Sequence, residues 1–352
     1  MAKTDRSLAN IAPPLLSWYD ANRRELPWRG AADPYAVWVS EIMLQQTRVA
    51  AVLPYYRRWM EVLPTVQALA EVDEQRLMKL WQGLGYYSRA RNLKRAAQYI
   101  CCECGGVFPD TREGLLALPG VGEYTAGAVA SIAFGRRVAA VDGNVLRIAA
   151  RVGNIGGNVL DPAVKREIQA AVEEAVPEDR PGDFNQALMD LGATVCLPKG
   201  EPLCGRCPLA ALCQANRFGL QQQLPVREKK SKRRVEELTV YLLVREGRVA
   251  LRTRPETGLL AGLWEFPNVP GQLTEEEAPL PLAQWGLTAL DWRRKLSAKH
   301  VFTHVEWRMT GYVVGVKGEC PALVWVDGQA LDGLAVPSAF ARFLEAAREI
   351  VS

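Results

Sequence analysis

A two-part chain is expected, an all-α domain followed by a smaller α+β domain, and three observations carry that reading. Apolar residues recur at helical spacing from residue 8 to about 215. The character then turns polar and basic. Beyond that stretch lie short β-type runs, the first two joined by Glu246-Gly247 as a hairpin turn. The 352 residues, 49% apolar and 23% charged, are enough for two or three domains with real cores. They exclude a chain disordered throughout, a collagen-like chain and a coiled coil.

In order, helices are expected over 11–19, 35–44, 48–63, 75–82, 90–101, 124–134, 145–153, 163–176 and 184–193. Asp33-Pro34, Gly83-Leu84-Gly85, Pro119-Gly120 and Asp161-Pro162 mark breaks between them. Residues 1–218 are taken as the helical domain, 219–237 as a linker and 238–352 as the second domain. In the second domain strands are expected at 238–244, 249–253, 309–316 and 322–326, with a closing amphipathic helix at 338–350. The linker holds Arg227-Glu228-Lys229-Lys230-Ser231-Lys232-Arg233-Arg234, six basic groups and one acid. That exceeds the whole chain's net +4, so the remainder is close to neutral and bulk charge is no argument for nucleic-acid binding. No apolar run reaches the roughly 18 residues of a membrane span, and the first residues lack the apolar core of a secretion signal, so an intracellular protein without a membrane is expected.

Cys196, Cys204, Cys207 and Cys213 form a C-x7-C-x2-C-x5-C array within 18 residues. Such clustering in a reducing compartment points to metal rather than disulfides. Zinc prefers two separated pairs and iron–sulfur clusters accept compact all-cysteine loops, so one [4Fe–4S] cluster is favoured over zinc or uncoordinated thiols. The chain has only two histidines, His300 and His304, which argues against a multi-histidine metal centre. Cys101, Cys102, Cys104 and Cys320 show no chelating pattern and read as packing or surface thiols.

Leu118-Pro119-Gly120-Val121-Gly122-Glu123-Tyr124-Thr125-Ala126 runs from one helix into the next. Gly120 and Gly122 around Val121 let the backbone approach a ligand, and the following helix points its amides outward, a geometry that binds phosphate without reading sequence. Two acids stand out. Glu41 lies in the apolar run Val37-Trp38-Val39-Ser40-Glu41-Ile42-Met43, and burial would raise its pKa toward that of a working general acid. Asp142 follows Val138-Ala139-Ala140-Val141 and precedes a helix, where capping of that helix is an equal reading.

Residues 28–215 resemble the endonuclease III-like helix-hairpin-helix superfamily of base-excision glycosylases, and within it the chain resembles the MutY-type adenine DNA glycosylases. The strings that carry the likeness are Leu26-Pro27-Trp28-Arg29, Ser40 to Thr47, Gly83-Leu84-Gly85-Tyr86-Tyr87-Ser88-Arg89, Val141-Asp142-Gly143-Asn144 and Thr257 to Pro267. The likeness covers almost the whole chain. It implies removal of adenine mispaired with 8-oxoguanine or guanine in double-stranded DNA, by a monomer, in the cytoplasm at the nucleoid. It also implies roles. Glu41 would protonate adenine N7, and Asp142 would stabilise the cationic sugar, supported by Tyr124 and Asn144. Trp28, Arg29 and Gln186 would line the pocket for a base flipped out of the stack. Gln46, Thr47, Leu84, Tyr86 and Ser88 would contact the DNA around the gap, and Gly120, Val121 and Gly122 its backbone. Phe302, Thr303 and His304 would read 8-oxoguanine.

Position 124 separates the subclasses. Enzymes of the endonuclease III type carry a lysine there that forms an imine with the sugar; a tyrosine cannot, so a monofunctional glycosylase is implied. The chain departs from the family in having one extra residue between Cys196 and Cys204, and Phe302-Thr303-His304 where Phe-Ser-His is usual. The C-terminal part resembles a Nudix (MutT-like) domain without the Glu-rich helix that binds Mg²⁺. Glu275-Glu276-Glu277 has no arginine before it and Pro279 close behind, so a recognition module is implied. Competing classes are a glycosylase–lyase of the thymine-glycol type and a non-catalytic damage-binding protein.

Overall fold

The computed structural model describes residues 7–30, 33–227 and 233–351. The chain forms two compact units, Met1–Glu71 with Arg91–Lys229, and Val72–Ala90 with Lys230–Ser352. In chain order the helices up to the linker are α1 (Ala12–Asn22), α2 (Pro34–Leu44), α3 (Val49–Val62), α4 (Val66–Glu71), α5 (Glu74–Trp81), α6 (Ser88–Glu103), α7 (Arg112–Leu116), α8 (Glu123–Phe134), α9 (Gly143–Val152), α10 (Pro162–Ala175), α11 (Pro181–Thr194) and α12 (Gln214–Phe218). All nine expected helices are present. α4, α7 and α12 were not expected, because one or two turns are too short to show a period.

Local chemistry sets where these helices start. Prolines open α2, α10 and α11, where the missing N–H costs nothing. The Asp33 and Asp161 carboxylates accept from Tyr35 N at 3.0 Å and Ala163 N at 2.7 Å, capping α2 and α10. Leu15, Tyr19, Val145, Ile148, Ile168, Phe184, Leu188 and Leu191 form the helical core. Each such side chain contributes about 1.5–3 kcal/mol by leaving water. Gly127 lets α8 lie against the segment leading to Asp142, since a Cβ there would sit 2.3 Å from the Ala139 carbonyl oxygen.

The other unit is built on a sheet of β1 (Arg234–Arg245), β2 (Arg248–Thr253), β3 (Trp264–Glu265), β4 (Asn268–Pro270), β5 (Leu287–Val301), β6 (Val305–Gly318) and β7 (Val324–Val326). The order is β3-β2-β1-β6-β5, with β4 also on β1 and β7 on β2; β1 and β6 run parallel and the other pairs antiparallel. The expected hairpin is present: Val244 pairs Val249 across Glu246 and Gly247, both in the left-handed region. The short helices α13 (Pro279–Gln284) and α14 (Gly328–Gly333) and the longer α15 (Ala341–Val351) complete it. Val240, Leu242 and Val244 face Phe266, Phe340 and Phe343, while Tyr241 and Leu243 face Leu282, Tyr312 and Val314. The alternation buries both faces of β1. Residues 72–90 join this unit through Lys79 Nζ donating to Leu334 O (3.2 Å) and Gln82 Nε2 to Val336 O (2.7 Å).

Two expectations shift here. β5 was missed: its run Asp291-Trp292-Arg293-Arg294-Lys295 is charged because the strand lies at the sheet edge, and only Leu287 and Leu296 along it are buried. β1 begins at Arg234, inside the stretch read as linker, while Val226 at its other end bridges to Asn158 and Leu224 O accepts from Arg151. Residues 228–232 of the basic run lie outside the described residues.

Candidate active site

α2 is buried along Tyr35 to Met43, and this places Glu41, 5% exposed, in the interior. Tyr124, in the first turn of α8, donates its hydroxyl to Glu41 Oε2 at 2.6 Å. Burial raises the Glu41 pKa to about 7; the charge of Asp142 adds to the rise, and the Tyr124 hydrogen bond and Arg29 oppose it. Burial also pushes the Tyr124 phenol well above its usual value, so it remains a donor.

Asp142 caps α9, which is the structural alternative considered for it. Its Oδ1 accepts from Asn144 N (2.8 Å) and Val145 N (2.9 Å), and its Oδ2 from Asn144 Nδ2 (2.8 Å). Capping also fixes the carboxylate of a residue that lines a cavity. Asn144 is held in turn by Arg147 Nη2 (3.0 Å), which also donates to Gly192 O (2.8 Å), while Arg147 Nε reaches Cys196 O at 2.9 Å.

Glu41, Tyr124, Asp142 and Asn144 line a cavity of about 500 Å³ together with Trp28, Arg29, Thr47 and Gln186. A second, more open cavity of about 660 Å³ meets Glu41, Tyr124 and Asp142 from another side and is lined by Gln46, Gly120 and Gly122. Gly120 has φ +76° and a Cβ there would strike Asn92 at 2.5 Å, whereas Gly122 faces open space; Val121 between them is buried. The turn thus leaves room for a backbone ligand at Gly122. A neutral acid and a capped carboxylate on one cavity are the parts needed to protonate a leaving group and to offset positive charge at a sugar.

The four clustered cysteines line a further small apolar cavity with Ile148, Val152, Leu191 and Leu209. Arg151 Nη1 donates to Cys196 Sγ at 3.3 Å. Among the described residues no three His, Cys, Asp or Glu side chains are arranged to hold a single ion. In the other unit Leu84 is buried, while Tyr86, Ser88 and His304 are exposed. The Tyr86 and Thr303 hydroxyls share a hydrogen bond of 2.6 Å. Phe302 packs edge-on against Trp307 at 4.9 Å and His300 at 4.5 Å.

Sequence reasoning missed Arg24, Arg147, Met189 and Asp190. Arg24 and Met189 line the 500 Å³ cavity, and Asp190 is fully buried. No local signal marks Asp190, which shares its face of α11 with Asp183 and Gln186.

Residues 39–178 match the profile of the HhH-GPD superfamily base excision DNA repair proteins and residues 239–346 that of the NUDIX domain. The chain is similar to the human protein "Adenine DNA glycosylase" (39% identity, 87% of this chain and 67% of that one) and the mouse protein of the same name (41%, 83% and 68%). It is likewise similar to the Buchnera aphidicola protein of that name (32%, 82% of each). Among solved structures, a thermostable thymine-DNA glycosylase is 30% identical with a TM-score of 0.55, covering 61% of this chain and 99% of that chain. A non-covalent endonuclease III–DNA complex shares the fold, with a TM-score of 0.52, 24% identity and coverage of 63% and 100%.

Proposed function

We propose how this chain, which belongs to the adenine DNA glycosylases of base excision repair, removes its base, and which partner base it reads. Adenine, flipped from the duplex at a few kcal/mol of unstacking, enters the cavity bounded by Trp28, Arg29 and Gln186. Protonated Glu41 gives its proton to N7, the bond from C1′ to N9 breaks, and adenine leaves as a neutral base. Asp142 offsets the positive charge left on the sugar, by proximity or by a transient bond to C1′. Water then supplies the hydroxyl at C1′, with Glu41 accepting its proton. Tyr124 and Asn144 hold the two carboxyl groups in place. The observation that carries the reading is a buried Glu41, its pKa near 7, bonded to Tyr124 on the cavity that Asp142 also lines.

No amine stands at position 124, so the strand remains intact after base loss. The second unit is read as the part that recognises 8-oxoguanine, or guanine, opposite the target. Support comes from the Phe302-Thr303-His304 turn, half-buried at Phe302 and Thr303 and exposed at His304, and from 275–278, which is a single turn ahead of a six-residue helix. Leu84, Tyr86, Ser88, Gln46 and Thr47 serve the gap left by the flipped base, and Gly120 to Gly122 the backbone. Cys196, Cys204, Cys207 and Cys213 fit one [4Fe–4S] cluster, four thiols around one apolar volume, which would cross-link the loop after α11. The protein works as a monomer on duplex DNA, in the cytoplasm at the nucleoid.

The test is adenine release from a duplex with a single A:8-oxoguanine pair, followed with and without alkali. Strand cleavage only after alkali is expected. Cleavage without alkali would indicate lyase chemistry, and no adenine release would remove the reading altogether.

A further inference from the structure

Asp190 is fully buried on α11 and accepts five hydrogen bonds from two arginines. Arg24 donates from its backbone N (3.3 Å), Nε (2.8 Å) and Nη2 (2.6 Å); Arg29 donates from Nη1 (2.7 Å) and Nη2 (2.9 Å). Arg29 Nη1 also reaches Arg24 O at 3.1 Å. Both arginines line the cavity assigned to the base, and Asp190 itself does not. Arg29 Nε is buried and has no hydrogen-bond partner among the described residues, an unpaired donor on a residue that lines the cavity. We infer that Asp190 is a positioning residue of the base pocket: one carboxylate fixes Arg24 and Arg29 as a rigid, donor-only wall for the ring-nitrogen acceptors of adenine. This rests on the reading that the 500 Å³ cavity receives the base.

Three physical consequences follow. Two guanidiniums brought together without a counter-charge repel, and a half-broken buried ion pair is far worse than an intact one. A guanidinium can only donate, so a base presenting N–H groups to this wall meets donors and is disfavoured. Asp190 also neutralises Arg29, whose charge reaches Glu41. Glu41 is faced by Tyr124 from α8, Asp142 from the start of α9 and Arg29 from the segment before α2. On its other side Arg29 is faced by Asp190 from α11 and Tyr19 from α1, and Asp190 by Arg29 and Arg24. Loss of the Asp190 charge therefore strengthens the pull of Arg29 on Glu41 and favours the Glu41 carboxylate.

The experiment is single-turnover adenine release from a mispaired duplex between pH 5 and 9, with melting curves, for the full chain and for Asp190→Glu, Asp190→Asn and Glu41→Gln. Asp190→Glu keeps the charge but displaces the wall by about a methylene, and a fall of about 10–100-fold in rate is expected from such misplacement. Asp190→Asn, where it folds, should move the alkaline limb of the rate profile about 0.5–1 unit lower. Folded Asp190→Glu with the rate of the unaltered chain overturns the inference, as does folded Asp190→Asn with an unmoved limb. Should Asp190→Asn fail to fold, Asp190→Glu decides alone. Full activity in Glu41→Gln instead overturns the reading of the cavity, so the two failures are distinguishable.

Discussion

The cavity lined by Glu41 and Asp142 in the helical unit and the Phe302-Thr303-His304 turn of the other unit hold their polar groups in opposite ways. In the cavity Glu41 is buried against a phenol, Asp142 has donors on both oxygens and Asn144 is fixed by a buried arginine. In the turn only Phe302 is anchored, by Trp307; His304 is exposed and Thr303 shares its hydroxyl with an exposed Tyr86. Chemistry that depends on a shifted pKa needs low dielectric and fixed neighbours. Recognition of a partner needs groups left accessible until it arrives. Damage to the first region should be severe and damage to the second graded.

The largest expected effect is at Glu41. Glu41→Gln keeps the hydrogen bond from Tyr124 but has no proton to give, and adenine release should fall by about 10²–10⁴-fold while mispair binding survives. A gel-shift titration beside a single-turnover assay checks both halves.

Second is a stability difference of opposite sign. Glu41 has a raised pKa, so its contribution is whole below the ordinary glutamate value and lost as pH climbs to about 7. Relative to the native chain, Glu41→Gln should gain about 3 kcal/mol between pH 4.5 and 7 and hold it above. Urea midpoints across that range measure it, and a pH-independent difference would deny the burial argument. In the native chain, adenine release should decline as pH rises through about 7, as the acid is lost.

The cysteine loop sharpens the contrast from the rigid side. Purified protein should be brown, with roughly four irons per chain. Cys213→Ser should lose the colour and destabilise the helical unit, with little effect on the melting of the other, read by calorimetry. Stoichiometric zinc in colourless protein would displace the cluster.

The smallest effect belongs to the turn. Replacing Thr303 and His304 with Ala should narrow the preference for A:8-oxoguanine over A:G by about tenfold, taking the lower part of the 1–3 kcal/mol that a good base contact supplies. The rate on the better substrate at saturation should stay within a few-fold. A loss as large as that of Glu41→Gln would abolish the distinction between the regions.

What was legible in the sequence follows the same division. Glu41 was visible because a single acid in an apolar helix is anomalous, and Asp142 because a cap residue follows an apolar run. Gly120 and Gly122 were visible as a glycine turn between two helices, and of the two only Gly120, at φ +76°, has a conformation that needs glycine. Asp190 and Arg147 were hidden, since their partners lie 166 and 49 residues away at Arg24 and Cys196 and nothing local signals such pairing. β5 was hidden for another reason: alternation is clear only where one face is buried, and most of this strand is exposed.

The charged character of β5 has a consequence of its own. The strand is fifteen residues long and hydrogen-bonded to β6 along one side, and among the described residues no strand pairs with its other side, which leaves N–H and C=O groups for an extended chain. Asp291, Arg293, Arg294, Lys295 and Lys299 punctuate it, and like charges meeting across two such edges would repel. The price of easy detection in the sequence is thus set against colloidal safety: a neutral, β-branched version of this edge would be simple to recognise and prone to stack into aggregates.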